Sequence, residues 1–272
     1  MTPSKAPDVV VAGHICLDII PDITQTRLAS AEEFFRPGTL INAGPATLST
    51  GGPVSNTGLG LIKMGIHAAL MGKVGRDPLG QMVKTLLAER WGVTEGLIED
   101  ADATTSYTIV LNPGGFDRMF LHCPGANDTF CADDVDYDLA GQAKLFHFGY
   151  PPLMRRMYAD GGAELVKIFR RVKELGVTTS LDMSLPDPAA PGGKADWADI
   201  LARLMPYVDL YLPSAEETLF MLDRASFNRY RAAGGSMIDR LTGNDLHELG
   251  RRLLSLGAKI VGIKCGHRGL YL

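Results

Sequence analysis

Residues 9–18, "VVVAGHICLD", decide the fold of this chain. Three valines and an alanine run together with no polar alternation. A strand of that composition is buried on both faces, as in a parallel sheet covered by helices. Gly13 ends the run, and Asp18 follows just past the strand's carboxyl end. Open α/β sheets place their ligand sites at that edge. A carboxylate there can accept two hydrogen bonds from a diol.

Outward from this stretch, similar runs recur at residues 68–71, 144–148, 178–181, 208–212 and 259–263. Amphipathic spacing predicts helices over 54–64, 79–90, 162–175 and 242–256. The last has Thr242 or Asn244 as its cap and Gly257 as its stop. Strands alternating with helices predict a single α/β domain, with a mostly parallel sheet covered on both faces. Two stretches break this rhythm. Residues roughly 19–50 are extended and rich in Thr, Ser and Pro. Residues roughly 104–123 alternate and read as a hairpin turning at 112–115. Neither joins a parallel sheet easily. Together they predict a small β-sheet that stands off the body as a lid.

Bulk properties narrow the function. A chain of 272 residues buries a full core. Its net charge of −4 gives no footprint for nucleic acid. The cysteines at 16, 123, 131 and 265 contain no CxxC, and no HxxxH or HExxH occurs, so zinc is not expected. No apolar run approaches the roughly 20 residues of a membrane span. Residues 1–8 lack the apolar core of a signal peptide. These readings predict a cytoplasmic protein with reduced cysteines that acts on a small molecule, not on nucleic acid or a membrane.

No GxxxxGK[ST] or GxSxG motif is present, and Gly58-Leu59-Gly60 lacks the third glycine of a dinucleotide fingerprint. The informative motif is "STGGPVSNTGLGLIKMG", residues 49–65. Gly51 and Gly52 let the backbone approach a ligand closely before entering a helix. Asn56, one turn in, can donate to and accept from vicinal hydroxyls.

In their order, these motifs resemble the ribokinase/PfkB family of carbohydrate and nucleoside kinases. Residues 13–18 resemble its first-strand motif, ending in the sugar-binding aspartate, with Cys16 where members often carry Asn. Residues 51–56 resemble its first signature, and "MGKVGRDPLGQ" (71–81) the strand–turn–helix after it. "TTSYTIVLNPGGFDRMFLHCPGAN" (104–127) resembles the lid strands and the loop leaving them. "YLPSAEE" (211–217) resembles the NxxE segment, with Ser214 in place of Asn. "IKCGHRGLYL" (263–272) resembles the start of the nucleotide site.

The resemblance implies a ribokinase-like α/β fold with a small β-sheet lid. It also implies Mg2+-assisted transfer of phosphate from ATP to a hydroxymethyl group of a sugar or nucleoside. Asp18, Gly51, Gly52 and Asn56 would hold the sugar. Ser106, Thr108 and Phe120 would face it from the lid, with Arg118 nearby, and Asn127 would touch it from the loop. Glu217 would organise Mg2+ through water, with Ser214 and Asp182 near the phosphates. Lys264 and Gly266 would lie beside ATP. A monovalent cation is a further cofactor the resemblance allows, and lid strands pairing between subunits would give a homodimer. The few lid aromatics, Tyr107, Phe116 and Phe120, favour a sugar over a stacked purine.

Members of the family also carry a C-terminal DTxGAGD motif whose aspartate is the catalytic base. Residues 125–130, "GANDTF", match GAGDTF at all but one position. Five aspartates lie between 128 and 138, however, which predicts a solvated acidic face that repels ATP. A strand follows, not a long helix. The stretch is therefore expected to be the loop leaving the lid, and the base is expected beyond Leu272. A chain ending at Leu272 would instead bind a sugar or nucleoside without phosphorylating it.

Overall fold

The computed structural model describes residues 6–25, 36–38, 40–92, 94–114 and 118–272. The middle of the 19–50 stretch, and Gly115 and Phe116 of the hairpin turn, lie outside them. Strand β1 (Val9–Gly13) passes through His14 and Ile15 into β2 (Cys16–Pro21). After β3 (Ala46–Gly51), helix α1 (Gly52–Lys63) begins without a loop. Then come β4 (Ala68–Gly75), α2 (Pro78–Trp91) and β5 (Leu97–Asp100), followed by the hairpin β6 (Tyr107–Leu111) and β7 (Met119–Cys123). Next are β8 (Leu145–Gly149), α3 (Ala163–Glu174), β9 (Thr178–Asp182), α4 (Trp197–Leu204) and β10 (Leu210–Tyr211). Helices α5 (Ala215–Leu222), α6 (Arg224–Ala232) and α7 (Gly243–Ser255) lead to β11 (Ile260–Val261). The hairpin β12 (Ile263–Lys264) and β13 (Leu270–Tyr271) follows.

Seven strands form one parallel sheet in the order β11-β10-β9-β8-β1-β4-β5. β1 lies inside it, between β4 and β8, as its unbroken apolar run requires. The pleat divides its side chains. Val9 and Val11 join a cluster with Val54 of α1 and Val83 and Leu87 of α2. Val10 and Ala12 join a larger cluster with Phe146, Phe148, Phe169 of α3 and Trp197 and Leu201 of α4. Burying a side chain of this size is worth about 1.5–3 kcal/mol, so a polar residue anywhere in 9–12 would cost one face or the other. The chain builds β4 and β5 on one side of β1 and then crosses to β8 on the other. This reversal opens a crevice at the carboxyl end of β1.

The lid is a four-stranded mixed sheet, β3-β2-β6-β7, in which β2 pairs antiparallel with β3 and parallel with β6. Leu17, Ile19, Leu48 and Tyr107 point into the cluster of α1 and α2, which fixes one face of the lid to the body. Asp77 ties the hairpin down. It caps α2 through Gly80 N (2.8 Å) and accepts from Thr105 N and Thr105 Oγ1, both at 2.7 Å.

Candidate active site

β2 continues so directly from β1 that the lid face opposite the body hangs over the sheet's carboxyl edge. Ser49, Asp18, Thr108 and His122 are register partners across β3, β2, β6 and β7, and form one polar row on that face. Cys16 lies one pleat away, with Sγ donating to Asp18 Oδ1 at 3.3 Å and accepting from Thr108 Oγ1 at 3.6 Å. Burial raises the Asp18 pKa, while hydrogen bonds from Cys16 and Thr108 oppose the rise.

The glycines of "GGPVSN" have distinct reasons. A Cβ on Gly51 would lie 2.4 Å from Asp18 Oδ2, so the Asp18 carboxylate occupies the space a side chain would take. Gly52 has φ +82, and a Cβ there would lie 2.4 Å from His14 O. It needs both the left-handed backbone and the absent side chain.

Asn56 is exposed and shares a shallow surface depression with Ser49, Thr50, Leu59, Lys63 and Arg90. No hydrogen bond described for it joins it to Asp18. Thr108 belongs to the polar row. Ser106 is fully buried, and its hydroxyl donates to Cys123 O at 2.8 Å. Arg118 and exposed Phe120 lie together on β7 and before it, the guanidinium 5.9 Å from the ring centroid.

The expected substrate contact from Asn127 is corrected. Asn127 is fully buried, and its Nδ2 donates to Ile15 O (2.9 Å) and Pro124 O (3.2 Å) while its Oδ1 accepts from Ile15 N (3.2 Å). Its amide staples the loop to the β1–β2 link. Residues 125–129 form a single 3-10 turn, not the start of a long helix. Asp128 accepts from Arg155 N at 2.8 Å. The acidic run after it is partly paired, and Asp133, Asp136 and Asp138 are exposed. Asp134 meets Lys73 at 2.7 Å, and Asp133 meets Lys167 at 3.1 Å and Arg171 at 3.6 Å.

A second group of side chains lies at the carboxyl ends of β9 and β10. Asp182 ends β9, and its Oδ1 accepts from Lys264 Nζ at 2.5 Å and Met183 N at 2.8 Å. Ser214 and Glu217 form a capping box on α5: Ser214 N donates to Glu217 Oε2 (2.6 Å), and Glu217 N donates to Ser214 Oγ (3.1 Å). Burial raises the Glu217 pKa, against the hydrogen bonds of Ser214 and the charge of Lys264. Gly266 is exposed in the turn between β12 and β13 with φ +54. Among the described residues, no three His, Cys, Asp or Glu side chains converge as a metal site.

Three residues that the sequence did not single out stand between these groups. His14 is buried, with Nε2 3.4 Å from His122 Nε2 and no partner for Nδ1. Burial, aided by the charge of His122, lowers the His14 pKa to about 3, so the ring is neutral. His122 Nδ1 lies 3.0 Å from Thr108 Oγ1. Tyr150 follows Gly149 at the end of β8, with its ring centroid 6.2 Å from that of His14. Its backbone is left-handed, φ 61 and ψ 42. That conformation costs a bulky L-residue about 1–2 kcal/mol, and the following Pro151 disfavours it further. The signal for the histidines was their place in the first-strand and lid motifs. The tyrosine's backbone leaves no signal in sequence.

The comparisons with known proteins show the family and the fold. The chain matches the family described as pfkB family carbohydrate kinase over residues 7–272. It is 28% identical over 219 residues to probable fructokinase-6, chloroplastic, of Arabidopsis thaliana, covering 80% of this chain and 53% of that protein. It is 27% identical over 218 residues to fructokinase-2 of Oryza sativa subsp. japonica, covering 79% and 60%. The chain thus spans little more than half the length of these curated relatives. Its fold is similar to that of Arabidopsis thaliana ribokinase complexed with ribose and ATP (TM-score 0.68, 19% identity, 96% of this chain and 72% of that one). It is also similar to a PfkB protein from Polaromonas sp. JS666 (TM-score 0.69, 21% identity, 98% and 79%). The chain belongs to the pfkB family of carbohydrate kinases.

Proposed function

We propose that this chain binds a sugar beneath its lid and takes part in ATP-dependent phosphorylation of the sugar's hydroxymethyl group. One observation carries the reading: the half-buried Asp18 carboxylate, seated in the space left by Gly51 and facing the cleft between lid and sheet. A carboxylate whose partners are the Cys16 thiol and the Thr108 hydroxyl keeps acceptor capacity for two sugar hydroxyls. Thr108 and His122 extend that row with a hydroxyl and an imidazole whose pKa burial lowers. D-fructose and D-ribose are the first sugars to test, since relatives are described as fructokinases and one structural neighbour as a ribokinase with ribose.

Lys264 and Gly266 would lie toward ATP, with Lys264 placing positive charge beside Asp182. Mg2+ keeps several waters and needs only one or two carboxylates beside substrate phosphates. Asp182 and Glu217 fit that water-mediated role, Glu217 because its Oε2 alone is described in the capping box. Bound with ATP, Mg2+ would neutralise developing phosphate charge. This chain's own contribution is to orient the hydroxymethyl group and to exclude water under the lid. The homodimer reading rests on β7, an edge of the lid sheet that exposes Phe120 (56%) and Leu121 (49%). Light scattering at micromolar concentration tests it, a monomer mass counting against it.

A second reading is sugar binding without phosphorylation by this chain. The GAGD-like stretch engages Arg155 and presents no base to the cleft. ADP release across a sugar panel, paired with calorimetric titration of the same sugars, separates the two. Turnover abolished by Asp18→Ala supports the kinase. Sugar binding with no ADP release supports the binding protein. Turnover unchanged in Asp18→Ala rejects the sugar-anchor role.

A further inference from the structure

Tyr150 occupies a conformation that its residue type resists. Among the described residues, the other non-glycine with positive φ is Asp160, which is exposed and of a type that tolerates this region. Tyr150 is half-buried, and the residue after it is proline. Its backbone is held from both sides, the N–H donating to Asp182 O (3.2 Å) and the carbonyl accepting from Leu153 N (3.0 Å). Continued in strand register, position 150 would fall on the face of Phe146 and Phe148, inside the larger core cluster. The left-handed turn takes the ring out of that face and sets it beside His14, at the foot of the lid. Strained residues of this kind persist where the surroundings impose them, and they cluster at functional sites.

The position is telling. Asp18, His122 and Thr108 lie on the lid side, and Asp182, Lys264 and Glu217 on the sheet side. The phenol feels the charges of Asp182 and Glu217, and also that of Asp18. Resting on the sugar-kinase reading above, we propose that Tyr150 is a specificity-determining residue whose phenol hydroxyl hydrogen-bonds the sugar's terminal hydroxymethyl group where the two sides meet. Burial first, then these carboxylates, push the phenol up to about 12, so it stays protonated and able to donate through the neutral range. An ether-like or carbonyl group at that point could accept from it but could not donate in return, whereas a hydroxymethyl group does both.

Calorimetric titration of D-fructose, D-ribose and their analogues lacking the terminal hydroxyl tests this, using the parent, Tyr150→Phe and Tyr150→Gly. The parent should bind one sugar and lose roughly three- to tenfold on its deoxy analogue. Tyr150→Phe should bind the sugar about that much more weakly, bind the deoxy analogue as the parent does, and unfold within about a degree of the parent. Tyr150→Gly, which suits the left-handed backbone, should stay folded and show at least the same loss for the intact sugar. A Phe variant that keeps the parent's ratio of sugar to deoxy-sugar affinity overturns the proposal, as does a Gly variant that binds the sugar like the parent. A parent that binds no sugar overturns the sugar-kinase reading itself, and this inference with it.

Discussion

Asp209, at the amino edge of the parallel sheet, and Asp18, on the lid beyond its carboxyl edge, are treated oppositely. Asp209 precedes β10 at the amino edge. Its carboxylate accepts from Lys173 Nζ (2.7 Å), Lys259 Nζ (2.7 Å), Thr179 N (2.9 Å) and Thr179 Oγ1 (3.2 Å). Burial pushes its pKa up, but these donors outweigh burial and hold it well below the usual carboxylate range. Asp18, past the carboxyl end of β1, has Cys16 and Thr108 as partners, and its pKa is raised. One edge of the sheet is saturated and stabilises the fold. The other keeps carboxylate capacity at a cost in stability, which is the signature of a site.

The strongest way to break this contrast is at Asp209. Asp209→Ala strands two lysines and two Thr179 donors, so it should cost about 3–5 kcal/mol in denaturant unfolding while sugar affinity of the folded protein stays within twofold. Asp18→Ala should do the reverse. It should lose about a hundredfold in sugar affinity by titration, since hydrogen bonds to a charged group are worth about 1.5–3 kcal/mol each, with no loss of thermal stability. Gly51→Ala should cost roughly tenfold in affinity, because its Cβ would displace Asp18 Oδ2 rather than strain the backbone.

Acid sharpens the contrast further. Asp18, with a raised pKa, contributes stability that is present below its unfolded value and lost as pH rises through the folded one. Its hydrogen bonding to sugar as a carboxylate runs the other way and fails as pH falls. Asp209, with a depressed pKa, contributes stability that is full above the unfolded value of about 3.9 and lost only as pH falls through the folded one. On lowering pH from neutral, sugar affinity should therefore decay before the melting temperature does. Coincident loss would show that Asp18 is not the titrating anchor. The smallest expected effect is that of Ser214→Ala, which removes half of the α5 capping box for about 1 kcal/mol in chemical unfolding.

Much of this was legible because burial leaves periodic marks. The unbroken 9–12 run marks a strand covered on both faces, and of the two expected caps of α7, Thr242 and Asn244, the structure uses Thr242, boxed with Asp245. The four parallel runs at 68, 144, 178 and 208 each became a strand. The fifth, at 259–263, splits at Gly262 into β11 and β12. β5, α4, α5 and α6 were not anticipated. "LIED" has too few apolar residues to read as a strand, and α4 and α5 are only eight residues each, too short for periodicity to declare itself. At the candidate site, the structure gives Gly51 and Gly52 steric reasons within the chain itself, the Asp18 carboxylate and the His14 carbonyl. Asn127 was misread because its type suits a ligand as well as a loop staple, and only its three backbone partners decide between them. The acidic run is solvated at Asp133, Asp136 and Asp138 as expected, while its pairing to Lys73, Lys167 and Arg171 was not legible because those residues are far away in sequence. Tyr150 was invisible because nothing in sequence reports a positive φ in a tyrosine.

The polar row on the lid draws its members from residues 18, 49, 108 and 122, and its central seam is the parallel pairing of β2 with β6. A parallel seam cannot be closed by a local turn, so it waits until segments some ninety residues apart in the chain have met. Loop closure of that length is slow and is rewarded only by contacts made afterwards. The surface that would recognise the sugar therefore exists only once distant parts of the chain have met, and the ability to bind becomes a test that the chain has folded through to its lid.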